Sequence, residues 1–275
     1  MRKRNKVIPG FGLSMGVTIS MLSLVVLIPL VSVFINLAGI SFADFWKIVT
    51  DSQLVAAYKV SLTSAFIAAC VNGVFGVLLA WVLTRYEFPG KRILDGFIEL
   101  PFALPTAVAG IALTTLYSDK GWFGSVFAKI GIKVSYTRIG ITIAMIFIGI
   151  PFVVRAIQPV LEKLDGSYEE AAEILGASRS RTFFKVIFPE ILPAALTGFG
   201  LAFARCIGEY GSVVFIAGNI PWKTQIVPLM IMSKLEQFNY TAATSIALVM
   251  IVFSFVILFT INIIQSRVAK RAGGK

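Results

Sequence analysis

The sequence has no histidine, only two cysteines and little charge: Asp, Glu, Lys and Arg make up 14% of its 275 residues. Without histidine there can be no histidine metal site, serine–histidine triad or imidazole proton relay. Cys70 and Cys206 lie inside separate apolar runs, which suits small inert hydrophobes better than a disulfide pair. A Gly-x-x-x-x-Gly-Lys-[Ser/Thr] phosphate loop is also missing, because at Gly90-Lys91 the place of the first glycine is taken by Arg85. ATP hydrolysis is therefore not expected on this chain.

What the chain does have is hydrocarbon. Hydrophobic residues make up 57% and the mean hydropathy is +0.86, against about 45–50% apolar in a soluble domain. About 20 apolar residues cross a bilayer as a helix. Six stretches meet that length, at about 13–38, 60–84, 97–117, 139–161, 193–217 and 242–265. The expected fold is all-α: a single polytopic domain, 1–275, with six transmembrane helices. The first stretch follows the basic start MRKRNK; it is too long for a signal peptide and lacks a small-residue cleavage pattern.

The net charge of +11 gathers at the ends of the apolar runs, which points to topology and not to nucleic acid. With both termini in the cytoplasm, cytoplasmic segments hold sixteen Lys and Arg and external loops eight. That bias supports the assignment, although the loop 118–138 carries four of the eight. The external loops keep a net positive charge that can steer an anion or an acidic partner, or can simply be solvated. Trp122 and Trp222 suit interface anchors.

The longest cytoplasmic segment, 162–192, is charged and reads as two short helices. Ser167-x-x-Glu170 forms a capping box, and Glu169, Glu170 and Glu173 suit the positive end of the first helix. Tyr168, Ala171, Ala172 and Leu175 recur at helical spacing as one apolar face, and Gly176 suits a left-handed helix end. A second helix starts at Ser178 or Ser180, with Arg179, Arg181 and Lys185 beside Phe183, Phe184, Val186 and Ile187. Pro189 is expected to stop it, and Pro193 to sit in the first turn of the next span. One reading is an amphipathic hairpin resting on lipid. The three glutamates favour instead a protein partner with a basic or mixed cleft.

In the fifth span, Arg205 and Glu209 are charges at membrane depth, each costing at least about 2.5–3.5 kcal/mol to insert. Gly198, Ala202, Arg205, Glu209 and Ser212 advance in steps of four and three, a narrow small and polar stripe. The pair either neutralises itself or marks a pathway or gate. Arg before Glu is the weaker order for such a pair, and the guanidinium fork suits a tetrahedral oxyanion. In the third span, Pro101 and Pro105 disturb the helix. Thr106 and the amides after Pro105 then either face a pathway or belong to a kinked packing element. Pro151 and Pro159 are expected to be kinks.

Several motifs together resemble a known family. Glu170-Ala171-Ala172, then Gly176, then Val186-x-Phe188-Pro189 resembles the EAA loop of ABC-importer permeases. YKVSLTSAF (58–66), NGVFGVLLAWVLTRYEFPGKR (72–92), LPFALPTAVAG (100–110), IPFVVRAIQPVLEKL (150–164) and FIAGNIPWKT (215–224) are similar to the sulfate/thiosulfate importer permeases, especially their T-type subunit. Arg205-x-x-Gly208-Glu209-Tyr210-Gly211 also resembles the sulfate/molybdate branch.

The resemblance implies a type I ABC importer permease fold with a cytoplasmic coupling helix, in a bacterial cytoplasmic membrane. It implies a transporter subunit and not an enzyme, with ATP and Mg on a partner ATPase and no cofactor of its own. The coupling residues would be Glu169, Glu170, Ala171, Ala172, Leu175, Gly176 and Pro189. The pathway or gate would use Arg205, Glu209, Ser212 and Thr106. The implied partners are a second, W-type permease, two ATPase subunits and an external sulfate-binding protein, with sulfate or thiosulfate as cargo. Alternatives are a molybdate/tungstate permease and, more remotely, a secondary anion transporter.

Overall fold

The computed structural model describes residues 10–272, and all regular structure among them is helical. The basic start, Arg2 to Lys6, and Lys275, both counted in the charge bias, lie outside these residues. In chain order the helices are α1 (Phe11–Leu37), α2 (Phe42–Val49), α3 (Ser52–Arg85), α4 (Lys91–Ala103), α5 (Thr106–Tyr117) and α6 (Gly124–Lys129). Then follow α7 (Arg138–Lys163), α8 (Ser167–Ile174), α9 (Arg179–Ile207), α10 (Val213–Ile216), α11 (Val227–Glu236) and α12 (Tyr240–Ala272). Five of them, α1, α3, α7, α9 and α12, are long and apolar enough to cross a membrane, and α4 with α5 makes a sixth if counted as one broken span.

The centre is a three-helix packing of α3, α7 and α9. Lipid is as apolar as a leucine side chain, so burial alone does not hold helices together in a bilayer; close backbone approach does. Small residues permit that approach here. A Cβ on Gly76 of α3 would lie 2.5 Å from Val153 Cγ1, and one on Gly198 of α9 would lie 2.7 Å from Val153 Cα. Two helices therefore close on one valine of α7. Ala65, Ala68, Ala144, Met145, Phe203 and Cys206 fill one end of this core, and Ala80, Val154, Ile157, Leu161, Ile187 and Ile191 the other. Cys206 is buried, donates to Met145 O at 3.2 Å and is unpaired, as is Cys70. In contrast, no residue of α1 is buried by the rest of the chain.

The third predicted span, 97–117, is not a straight helix: α4 and α5 meet at 116°. Pro105 lacks an amide hydrogen and forces Leu104 into extended backbone (ψ 135°), which ends α4. Pro101, by comparison, stays inside α4, and Pro151 and Pro159 stay inside α7.

The fifth predicted span, 193–217, also differs. It begins earlier, because α9 runs unbroken from Arg179. Pro189 does not stop the helix, and Pro193 lies within it. A π-helical turn over Phe183–Ile187 ends two residues before Pro189, and a matching π-turn over Ser23–Leu27 ends two residues before Pro29 in α1. The wider turn makes room for a residue with no N–H to donate and a ring that crowds the previous turn. At its other end the helix stops at Ile207, with Gly208 as its cap, and helix resumes only at Val213. The stripe from Gly198 to Ser212 is therefore not one helical face.

Candidate functional site

The break between α9 and α10 is built around a carboxylate. Glu209 Oε1 accepts hydrogen bonds from the Ser212 amide at 2.8 Å and the Ser212 hydroxyl at 2.9 Å, and Arg205 Nη1 donates to Glu209 Oε2 at 2.5 Å. The side chain thus replaces the backbone bonds that a continuing helix would supply. Glu209 and Ser212 are fully buried, while the Arg205 side chain keeps 34% of its surface. The guanidinium gives one of its five N–H groups to Glu209 and makes no other side-chain hydrogen bond among the described residues. The buried carboxylate holds the cation by one corner and leaves the rest of the fork free.

α5 closes over this turn. A Cβ on Gly211 would fall on Thr106 Oγ1, and a Cβ on Gly110 would lie 2.5 Å from Ser212 O and 2.8 Å from Ser212 Cα. Thr106 and Gly110 are one turn apart, so the first turn of α5 lies directly against Gly211–Ser212. Proline caps α5 without a side-chain hydrogen bond, and its first amides have no intrahelical acceptor. The structure therefore brings Arg205, Glu209, Ser212 and Thr106 together at two chain breaks, where Pro105 and Gly208 end α4 and α9. Gly198 and Ala202, the remainder of the predicted stripe, face the α7 packing.

The segment 162–192 forms a second site at one end of the bundle. Ser167 is the first residue of its first helix, α8, and not the cap. Gly166 takes the cap position, and Asp165 Oδ1 accepts the Ser167 amide at 3.1 Å. Asp165 thus takes the amide that Glu170 would accept in a capping box. Gly176 does end the helix in the left-handed region (φ 78°). Its amide donates to Glu173 O and the Ala177 amide to Ala172 O, both at 2.9 Å, the paired bonds of a Schellman ending.

The predicted apolar face of α8 divides. Ala172 is buried, while Tyr168, Ala171 and Leu175 are open; Leu175 and its neighbour Ile174 are each 86% exposed. Glu170 is also exposed, but Glu169 turns inward to Arg85 at 3.0 Å. Pro189 is exposed near the start of the membrane part of α9.

Two arginine centres escaped the sequence reading. Arg85 joins the ends of three helices. Arg155 of α7 pairs with Asp95 at 2.9 Å and Glu99 at 2.7 Å on α4, and donates to Gln158 Oε1 at 2.6 Å. Asp95 and Glu99 stand four residues apart on α4, so their shared face was visible in the sequence. Arg155 was counted only as a topological charge. Among the described residues no group of three His, Cys, Asp or Glu is placed to hold a metal ion.

Residues 72–274 match the model of the binding-protein-dependent transport system inner membrane component family. The sulfate transport system permease protein CysT of Escherichia coli (strain K12) is 52% identical over 98% of this chain and 97% of its own length. CysT of Synechococcus elongatus is 50% identical over 89% and 88%, and a probable CysT of Chlorokybus atmophyticus 52% over 90% and 87%. Among solved structures, a bacterial ABC transporter for import of the acidic polysaccharide alginate superposes with a TM-score of 0.78 at 16% identity, covering 94% of this chain and 96% of that one. The MetNI methionine ABC transporter superposes with a TM-score of 0.62 at 16% identity, covering 83% and 99%. The fold is that of an ABC-importer permease, and the chain belongs to the binding-protein-dependent transport system inner membrane component family, in its CysT-type sulfate permease branch.

Proposed function

We propose that this permease subunit carries sulfate or thiosulfate into the cell as the T-type half of an ATP-driven importer. The observation that carries the reading is Arg205: a membrane-depth guanidinium held by the buried Glu209–Ser212 turn yet only partly used. Its free N–H groups match the oxygens of a tetrahedral dianion. Glu209 takes one donor and balances the guanidinium charge, which weakens the hold on a dianion and favours release. Thr106, at the start of α5, lies against Gly211 of the same turn and would add a hydroxyl to the site. Identity of 52% and 51% to two sulfate transport system permease proteins, over 98% of this chain, supports sulfate as cargo.

On this reading the partners are a W-type permease, two ATPase subunits that hold ATP and Mg, and an external sulfate-binding protein. Both termini lie on the cytoplasmic side of a bacterial plasma membrane, and 162–192 is the coupling loop within a single domain, 1–275. Glu170, Ala171, Leu175 and Gly176 present the surface that meets the ATPase, with Ile174 and Leu175 as the apolar contacts. Ala172 and Glu169 anchor α8 from behind, and Pro189 lies where the loop passes into the membrane. No covalent chemistry occurs on the chain.

The test is complementation. A strain lacking sulfate import should grow on sulfate as sole sulfur source when this chain is expressed with its partner subunits. Arg205→Ala should abolish growth while the complex still assembles. Rescue of a molybdate-import mutant alone would assign the cargo to molybdate.

A further inference from the structure

Within segment 162–192, Ile187 and Ile191 of α9 pack in the bundle core, whereas α8 touches the bundle at few points, one of them through Arg85. As the last residue of α3, Arg85 sends Nη2 to Leu164 O at 3.1 Å, the carbonyl that caps α7, and the same nitrogen lies 3.0 Å from Glu169 Oε1 in the first turn of α8. The Glu169 contact is an ion pair without a directed hydrogen bond, since the N–H is aimed at Leu164. Arg85 and Glu169 keep only 21% and 34% of their side-chain surface. One cation therefore ties three helix ends, satisfies an orphan carbonyl and faces a carboxylate placed at a positive helix start.

A second post stands beside it. Trp81 lies under the Arg85 guanidinium at 5.7 Å and meets the ring of Phe183 edge-on at 5.2 Å, in the π-turn of α9. Between the posts is a hollow of about 670 Å³ lined by Trp81, Arg85, Glu169, Glu173, Arg179 and Phe183. The α8 side of the loop is thus held beside a space, while its Phe183, Ile187 and Ile191 side packs on the bundle. From Arg179, α9 continues as one 29-residue helix to Ile207, two residues before Glu209.

We propose that Arg85 is the pivot of the coupling loop, a positioning residue that fixes α8 against the ends of α3 and α7 so that a push on the loop is passed along α9 to the Arg205–Glu209–Ser212 turn. The proposal rests on 162–192 being the coupling loop. With the Arg85 post removed, the loop can tilt into the hollow, and ATP hydrolysis then loses its grip on the gate.

The experiment uses the complete transporter in proteoliposomes, with uptake and ATP hydrolysis measured together. In Arg85→Gln the ATPase subunits stay bound, and radiolabelled sulfate taken up per ATP falls about tenfold, the equivalent of about 1.4 kcal/mol of lost coupling. Arg85→Lys, which keeps the charge, recovers part of it. The double variant Arg85→Gln/Glu169→Gln is no worse than the more severe single, because both remove one link. Unchanged uptake per ATP in Arg85→Gln, or additive losses in the double, overturns the pivot. Gly176→Pro separates this from the loop assignment. Loss of ATPase binding in Gly176→Pro with Arg85→Gln silent refutes only the pivot, whereas retained binding and uptake in Gly176→Pro refutes the coupling loop itself.

Discussion

Replacing Gly110 by alanine probes how closely α5 must sit on the Glu209 turn. The new Cβ would lie 2.5 Å from Ser212 O, 2.8 Å from Ser212 Cα and 3.0 Å from Ser212 C. All three are backbone atoms, so no flexible side chain can swing aside. Either α5 lifts away or the 209–212 turn moves, and overpacking of this kind costs about 1–3 kcal/mol. Moving the turn also disturbs the bonds by which Ser212 holds Glu209, and with them the position of Arg205. Gly96→Ala in α4 is the matched control: nothing lies within 4 Å of its Cβ, and the site is an exposed helix interior. That substitution should stabilise by about 0.5–1 kcal/mol. Thermal melting of the purified complex and sulfate uptake at equal membrane levels read both. Gly110→Ala should lower the melting temperature and uptake together, while Gly96→Ala raises or preserves both. Equal, near-neutral behaviour of the two variants would refute the close approach of α5 to Ser212.

Three further outcomes follow from the geometry. Arg205→Ala should destabilise the complex more than Glu209→Gln. It leaves a fully buried carboxylate without its cation, whereas a partly exposed guanidinium can find water, so its melting temperature should fall further while the complex still assembles; melting of the two variants decides it. Gly176→Ala should weaken α8 by about 1–2 kcal/mol through its left-handed backbone alone, since nothing lies within 4 Å of the added Cβ; ATPase co-purification should fall, and full retention contradicts the Schellman ending. Pro189→Ala should leave the helix continuous and uptake near wild type, because α9 already passes through this position; a large loss would restore the expectation that Pro189 ends a helix.

Hydropathy located the apolar segments because a bilayer admits long helices and few alternatives. It missed the breaks at Leu104–Pro105 and Gly208–Ser212, because each is only a few residues long inside a longer apolar segment. The first carried a readable signal, since the residue before a proline avoids helical geometry. The second was hidden: Glu209 at four residues from Arg205 reads as a helical pair, and only the structure shows its other oxygen capturing the Ser212 amide. Pro189 misled in the opposite direction. Its π-turn depends on a local widening that residue spacing does not announce. The left-handed end at Gly176 was legible because glycine adopts that geometry without strain. The role of Glu169 was not, because its partner Arg85 lies 84 positions away in the chain.

The most direct test of the account is uptake of radiolabelled sulfate into proteoliposomes holding the complete transporter, with and without enclosed ATP. The account predicts accumulation only with ATP, competition by thiosulfate and not by molybdate, and loss of accumulation in Arg205→Ala despite intact assembly. Sulfate entry that proceeds without ATP, or that Arg205→Ala leaves unchanged, would contradict it.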